Sequence, residues 1–276
     1  MSVLVTGGSG QLGTAFRAVL GDAMFPSYAE LDLARPGSLA AFLDAAGPRA
    51  IINCAAYTAV DRAESEEELA TTVNGESVGV MAAWAAGRGV PFVTYSTDYV
   101  FDGEGDRPYV ESDPTDPINA YGRTKLAGEH AALDHATSLV IRTSWMISGT
   151  PPNFVATMLR LVQERDLRVV DDQRGCPTVA GDLARATIAA LAHGATGLWP
   201  LTNVGETTWF DLARAAVAEA GLDPGLISAC GTEDYPTPAR RPAYSVLGSE
   251  RREELGIPPL PHWRMSLPAV VAALTV

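Results

Sequence analysis

The chain has 276 residues, 47% hydrophobic and 19% charged, enough apolar material for a core spanning one or two domains. Its formal net charge of −13 and pI near 4.7 exclude the basic surfaces that select nucleic acid or anionic membranes, so neither partner is expected. Cys54, Cys176 and Cys230 are odd in number and lack CxxC or Cys/His spacing, which excludes a disulfide framework and a zinc site and leaves buried thiols in a reducing cytoplasm. The N-terminus lacks a basic leader, and no apolar run approaches the roughly 18 residues of a membrane span, so a cytoplasmic protein is expected.

Residues 2–6 read as a short buried strand, Thr6-Gly7-Gly8-Ser9-Gly10-Gln11-Leu12-Gly13 as a turn, and 12–20 as an amphipathic helix. Such a turn lets backbone approach a pyrophosphate, and the helix start offers free N–H groups and a positive dipole end. The glycine pattern alone also fits a structural turn; its place between strand and helix supplies the context a dinucleotide site needs. A ribose-reading acid is expected about 20 residues on. Asp32 is the candidate, with Leu33 flanking the adenine and a surface-loop aspartate as the rival reading. No arginine stands at that strand end, although folding could bring Arg17 or Arg35 near, so NADH and NADPH both stay open.

A helix over 38–46, a strand over 50–54, helical sequence over 66–88 and a strand over 91–96 follow. Glu64, Glu66, Glu67 and Glu68 read as a solvated helix start whose acids complement the dipole, and no metal site is expected there. The 91–96 run ends in Ser96-Thr97-Asp98-Tyr99. Next come a helix carrying Tyr121-Gly122-Arg123-Thr124-Lys125 and a strand over 138–142. This alternation predicts an α/β fold, a parallel sheet covered on both faces. After Trp145 the stretch Gly149-Thr150-Pro151-Pro152 breaks the pattern. A helix near 153–164, an apolar helix over 179–193 that returns to the sheet, a helix over 208–220 and a Pro-rich stretch over 235–242 complete a smaller lobe. The expected division is 1–147 for the nucleotide, with a return around 178–205, and 148–276 for substrate.

Tyr121 and Lys125, four apart on a helix, share a face. Reducing a ketone requires a hydride on carbon and a proton on oxygen, and a free phenol with a pKa of about 10 donates sluggishly. The Lys125 ammonium, with an oxidised nicotinamide, is expected to lower the pKa of Tyr121. Thr97 is a second hydrogen-bond donor to the carbonyl. Asp98 is read as a group bonding sugar hydroxyls or tuning the proton transfer, or as a plain helix cap. Tyr99 and Trp145 read as walls for a sugar ring or as core. Tyr109 and Tyr235 read as packing, and Arg240 and Arg241 as phosphate ligands or a salt bridge between lobes.

Taken with Asn53-Cys54-Ala55-Ala56-Tyr57-Thr58-Ala59-Val60-Asp61, Ser96-Thr97-Asp98-Tyr99-Val100-Phe101-Asp102-Gly103, Pro117-Ile118-Asn119-Ala120-Tyr121, Arg142-Thr143-Ser144-Trp145, Asp172-Gln173-Arg174-Gly175-Cys176-Pro177-Thr178 and Tyr235-Pro236-Thr237-Pro238-Ala239-Arg240-Arg241-Pro242, these motifs resemble the dTDP-4-dehydrorhamnose reductases over almost the full length. That family belongs to the extended short-chain dehydrogenase/reductases. The resemblance implies a Rossmann-type doubly wound parallel sheet with a smaller C-terminal substrate lobe. It also implies NADH- or NADPH-dependent reduction of the C4 ketone of dTDP-4-dehydro-L-rhamnose to dTDP-L-rhamnose. By matching position, Gly7, Gly10, Gln11, Leu12 and Gly13 would serve the pyrophosphate, Asp32 and Leu33 the adenosine, and Ala55, Ala56, Tyr57 and Thr58 the nicotinamide side. Tyr121 would be the proton donor with Lys125 its partner, both near the cofactor. Thr97, Asp98, Tyr99 and Trp145 would meet the sugar. Met146-Ile147 and Ala243-Tyr244 depart from the family pattern near the expected sugar site, so a 4-ketoreductase for another dTDP-deoxyhexose is the alternative. A regulatory dinucleotide-binding subunit ranks below both, because it has no use for Thr97, Tyr121 and Lys125 together. Some relatives use a metal at a dimer interface; no carboxylate cluster supports one here, and a homodimer stays open.

Overall fold

The computed structural model describes residues 2–275. Five parallel strands, β1 (Val3–Thr6), β2 (Ala50–Asn53), β3 (Phe92–Thr97), β4 (Ser138–Thr143) and β5 (Gly197–Pro200), form the central sheet in that order. β3 and β4 are buried along their whole length. Strands covered on both faces have no solvent side, which is why both read as nearly continuous runs instead of alternating ones. A parallel bridge from Leu4 to Met24 extends the sheet beyond β1, with two 2.8 Å backbone bonds, Val5 N–H to Met24 O and Met24 N–H to Val3 O. The chain therefore leaves β1 to one side and crosses to the other at β2. Such a reversal opens a crevice beyond the carboxyl end of β1, and the glycine turn lies there.

Helices cover both faces. On one, α1 (Gln11–Val19) brings Leu12 and Phe16 against Ile52, Val93, Ile141 and Leu183. On the other, α2 (Pro36–Ala46) and α3 (Ser77–Arg88) pack Leu39, Leu43, Met81 and Trp84 against Leu4, Ile51 and Phe92. Residues 66–88, expected as one helical stretch, are a helix Glu67–Thr71, a π turn Thr72–Glu76 and then α3. The π turn holds Asn74 buried, where its amide bonds Tyr57 N and O and the Thr124 hydroxyl at 2.8–3.0 Å. The fourth helix, α4 (Ala120–Leu133), carries Tyr121 and Lys125, and α5 (Ala180–Ala192) packs beside α1.

A third core joins Val155, Leu159, Leu212, Ile227, Trp263 and Val270. Its helices are Phe154–Leu161, Trp209–Glu219 and Trp263–Leu274, with Leu167–Val170 paired in parallel to Ile227–Cys230. The last helix escaped the sequence reading because Pro268 sits inside it, where proline normally argues against a helix. Among the described residues no helix is long and apolar enough to cross a membrane.

Candidate active site

Three cavities run in series along the carboxyl ends of the strands. The first, about 530 Å³, lies between the glycine turn and the 25–34 segment. The second, about 690 Å³, shares Gly7, Ser9, Ala55 and Ala56 with it and opens over β3 and β4. The third, about 700 Å³, shares Phe154 and Trp209 with the second and extends between Leu161 and Tyr235.

The turn's shape follows from its glycines. Gly7 has φ +65°, and a Cβ there would meet Ala55 N at 2.7 Å; one on Gly13 would meet Gly7 O at 2.1 Å. At the start of α1 no side chain caps the N-terminus and no acid occupies the first turn. Its orphan N–H groups and positive dipole end are left for an anion, a donor set that fits a dinucleotide pyrophosphate. Thr6 Oγ1 donates to Asn53 Oδ1 at 2.6 Å and accepts from Ala55 N at 3.1 Å, which fastens the 53–56 segment to β1. Gly7, Gly10, Gln11, Leu12, Ala55, Ala56 and Thr58 line the second cavity, Asp32 and Leu33 the first, and Tyr57 the first as well. Gln11 accepts a hydrogen bond from Ser148. Asp32 sits in a turn, not on a second long strand, and accepts from Ala34 N at 2.9 Å.

The candidate catalytic side chains meet at the end of β3. Thr97 takes extended backbone, and its hydroxyl caps the short helix Asp98–Val100 by accepting from Tyr99 N. The cap is thus Thr97, not Asp98. Thr97, Asp98, Tyr121, Lys125 and Trp145 line the second cavity, while Tyr99 lines the third. Tyr99 also meets Tyr121 edge-on, ring centroids 6.0 Å apart at 82°. Asp98 is 2% exposed; one oxygen accepts from Thr97, and among the described residues the other lies near Ser245 without a hydrogen bond of normal geometry. Burial pushes its carboxyl up to about 7, against the pull of Ser245, Thr97 and nearby backbone N–H groups. Burial likewise lowers the Lys125 ammonium to about 8, with the Glu129 charge one turn on working against it.

In the protein's own environment the Tyr121 phenol shifts upward. Burial first, then the Asp98 charge, raises its phenol above the ordinary value, and only the Thr97 hydrogen bond pulls it down. These causes come from the protein alone, whereas the expected lowering joins an oxidised nicotinamide to Lys125. A phenol held this way is protonated at neutral pH, the state a proton donor requires.

Several carboxylates place α4. Asn119 caps it through Gly122 N at 2.8 Å, and Glu64 accepts from Ala120 N at 2.9 Å. Glu67 holds Arg123 through two 2.8 Å bonds, and Glu66 takes the Tyr57 hydroxyl at 2.5 Å. Three of the four acids read as a solvated helix start therefore tie the catalytic helix or the 55–58 loop in place. Gly122 permits close docking, since a Cβ there would lie 2.1 Å from Tyr99 O. Further along α4, Glu129 grips Arg142 of β4 through bonds of 2.9 and 2.7 Å, both side chains buried.

Trp145 has φ +42° and stacks on Trp209 at 3.6 Å and 7°. It is at once a core member and a cavity wall. Trp209 and Phe154 reach the same cavity from distant segments and carried no motif to reveal them. Met146 lines the cavity; Tyr244 instead reaches Glu206. Arg241 bonds Asp61 across 180 residues at 3.0 Å, the salt-bridge alternative, and also lines the third cavity. Arg240 is exposed. Tyr109 stacks on Phe101, but Tyr235 is exposed on the rim of the third cavity instead of packed. Among the described residues no three His, Cys, Asp or Glu side chains converge as metal ligands.

A glycine turn at the reversal of a parallel sheet, with tyrosine, lysine and threonine gathered over the strand ends, places the protein among the Rossmann-type NAD(P)-binding oxidoreductases. Residues 1–276 match the family described as RmlD substrate binding domain. The chain is 44% identical to a dTDP-4-dehydrorhamnose reductase of Burkholderia thailandensis, covering 97% of each. It is 42% identical to a dTDP-4-keto-6-deoxy-D-glucose reductase of Streptomyces niveus, covering 96% of this chain and 94% of that one. A solved dTDP-4-dehydrorhamnose reductase of Bacillus anthracis, in complex with NADP, superposes with a TM-score of 0.91 at 32% identity over 97% of this chain and 98% of that one. The chain belongs to the dTDP-4-dehydrorhamnose reductase family.

Proposed function

We propose that the protein reduces the C4 ketone of dTDP-4-dehydro-L-rhamnose to dTDP-L-rhamnose with NADH or NADPH. The observation that carries this reading is the meeting of Thr97, Asp98, Tyr121 and Lys125 in one cavity continuous with the glycine turn. The relatives' names supply the sugar nucleotide. The nicotinamide supplies the hydride.

Once hydride reaches the carbonyl carbon, its oxygen becomes an alkoxide whose conjugate acid resembles water, with a pKa of about 16. A phenol raised above its usual pKa still yields its proton to so strong a base. Tyr121 is therefore the proton donor, and Thr97 orients the oxygen with a second hydrogen bond. Lys125 makes no ion pair with any described residue. Its ammonium is free to hold the nicotinamide ribose and to stabilise the phenolate left behind. Asp98, with an unpartnered oxygen, takes a sugar hydroxyl, and Tyr99 and Trp145 wall the ring. Gly7, Gly10, Gln11, Leu12 and Gly13 serve the pyrophosphate, Asp32 and Leu33 the adenosine, and Ala55, Ala56, Tyr57 and Thr58 the nicotinamide side. The nucleotide arm of the substrate occupies the third cavity, where Arg165 lines the wall without a carboxylate partner among the described residues. In this division residues 1–147, with a return at 178–205, hold the cofactor, and 148–276 present the sugar nucleotide. The three free thiols, all of them pushed up by burial, suit a reducing cytoplasm.

The test is oxidation of NADPH and NADH with enzymatically generated dTDP-4-dehydro-L-rhamnose, followed by identification of the product. Formation of dTDP-L-rhamnose is expected. A second reading, reduction of another dTDP-4-keto-deoxyhexose, is favoured by Met146 in the cavity wall and by the Streptomyces niveus relative. Turnover confined to such a sugar would establish it in place of the first.

A further inference from the structure

The adenosine end of the first cavity carries a charge arrangement whose significance lies in a single phosphate. The segment after the Met24 bridge runs Phe25-Pro26-Ser27, so a hydroxyl stands where an acid would otherwise read a ribose. The nearest acid lining the cavity, Asp32, is already engaged. One of its oxygens takes the Ala34 N–H at 2.9 Å, and the other lies 3.4 Å from Arg35 Nε. Glu30 is turned back onto Ser27, accepting from both its N–H and its hydroxyl, and does not line the cavity.

Arg17 is placed differently. It projects from α1 into the cavity wall, where its Nε donates to Gly8 O at 2.9 Å and its guanidinium lies 4.2 Å from the Phe25 ring centroid. These two contacts fix the plane of the group. They use one of its five N–H donors, and among the described residues no carboxylate lies within ion-pair distance and no other hydrogen bond is made. A fixed, unpaired guanidinium beside the glycine turn is a fork suited to a phosphate monoester. In a chain of net charge −13 it is also a local exception to a surface that repels phosphate.

We infer that Arg17 reads the 2'-phosphate of the cofactor's adenosine ribose, so that this protein selects NADP(H) over NAD(H). The inference rests on the dinucleotide reading of the glycine turn and adds a discriminating residue to it. Arg35, the other candidate from sequence, is committed to Asp32 and has the lesser part.

The test measures dissociation constants of NADP+ and NAD+ on the full chain by titration calorimetry, for wild type and for Arg17→Gln, Arg17→Lys and Arg35→Ala, with 2',5'-ADP and 5'-ADP as competitors. Wild type is expected to bind NADP+ at least about tenfold more tightly than NAD+, the scale of one or two charge-assisted hydrogen bonds. Arg17→Gln should abolish that ratio by weakening NADP+ alone, Arg17→Lys should keep part of it, and Arg35→Ala should leave it within about twofold. The NADP+ affinity should also fall more steeply with salt than that of NAD+. Equal or tighter NAD+ binding by wild type, or a ratio that survives Arg17→Gln, overturns the assignment while leaving the dinucleotide site intact. Binding of neither dinucleotide overturns both. Should Arg17→Gln fail to fold, the wild-type ratio and Arg17→Lys decide the matter.

Discussion

Two sets of buried ionisable groups, anchored by Lys125 and Glu129 one turn apart on α4, behave in opposite ways. Glu129 and Arg142 are 1% and 4% exposed in their side chains, yet each carboxylate oxygen meets a guanidinium nitrogen, and Arg142 also lies over Phe101 at 4.9 Å. Asp98 and Lys125 are buried as well, but among the described residues one Asp98 oxygen has no hydrogen-bond partner and Lys125 makes no ion pair, feeling Glu129 only from a distance. Both have pKa values displaced toward neutrality. The first pair balances its charges within the protein, although Arg142 Nη1 has no hydrogen-bond partner among the described residues, and it holds α4 to β4. The second is incomplete until something else arrives. Burial alone therefore does not distinguish chemistry from architecture, and neither does a single unbonded atom; the charge left without an ion-pair partner does.

The sharpest way to break this contrast is to remove the proton donor. Tyr121→Phe is expected to lower kcat for ketone reduction by about 10²–10⁴-fold while the cofactor dissociation constant stays unchanged. Turnover near wild type would remove Tyr121 from the chemistry. Nearly as large, but in stability, is the effect of opening the complete pair. Glu129→Gln leaves Arg142 buried without its counter-charge and should cost about 3–5 kcal/mol in denaturant unfolding, most of it recovered by adding Arg142→Met. A double variant no more stable than the single one would show that the pair's charge is not what matters.

The incomplete set should respond the other way. A carboxyl raised from 3.8 to about 7 corresponds to at most about 4 kcal/mol of strain in its ionised form. Because its folded pKa is the higher one, the native state loses stability as pH rises from about 4 through 7. Asp98→Asn should thus raise the melting temperature more at about pH 8 than at about pH 5, while impairing turnover. Equal shifts at both would contradict the buried-charge account. Lys125 gives a smaller, pH-bound effect. With its ammonium lowered to about 8, the charged form disappears as pH rises through that value, so kcat should fall about tenfold per unit beyond it. Lys125→Arg should displace that limb upward, and a profile flat beyond it would show that the ammonium is not required.

Much of this was legible in the residues because local rules act there. A glycine turn between strand and helix, Thr97-Asp98 at the end of an apolar run and a Tyr/Lys spacing of four each carry their geometry with them. What escaped depends on distance. Phe154, Arg165 and Trp209 reach the cavities from segments without a motif, and Asn74 does its work only because a π turn buries it against Tyr57 and Thr124. The burial that raises the Tyr121 phenol was out of reach for the same reason. Its neighbour Lys125 is visible as a spacing, whereas burial and the approach of Asp98 exist only after folding. The glutamates from 64 to 68 show composition's limit: acids typical of a helix start, three of which serve as fasteners.

The Trp145–Trp209 stack, parallel within 7° at 3.6 Å, has an optical consequence. Two indoles this close share their electronic transitions, and where their in-plane transition dipoles are rotated against each other such coupling produces a paired positive and negative band in ultraviolet circular dichroism. Because both rings line the second cavity, a sugar lying against them as proposed would change the environment of the coupled transitions. The protein thus contains a chromophore that reports occupancy without a label. The band should be lost in Trp209→Phe and should shift on titration with the dTDP-sugar product.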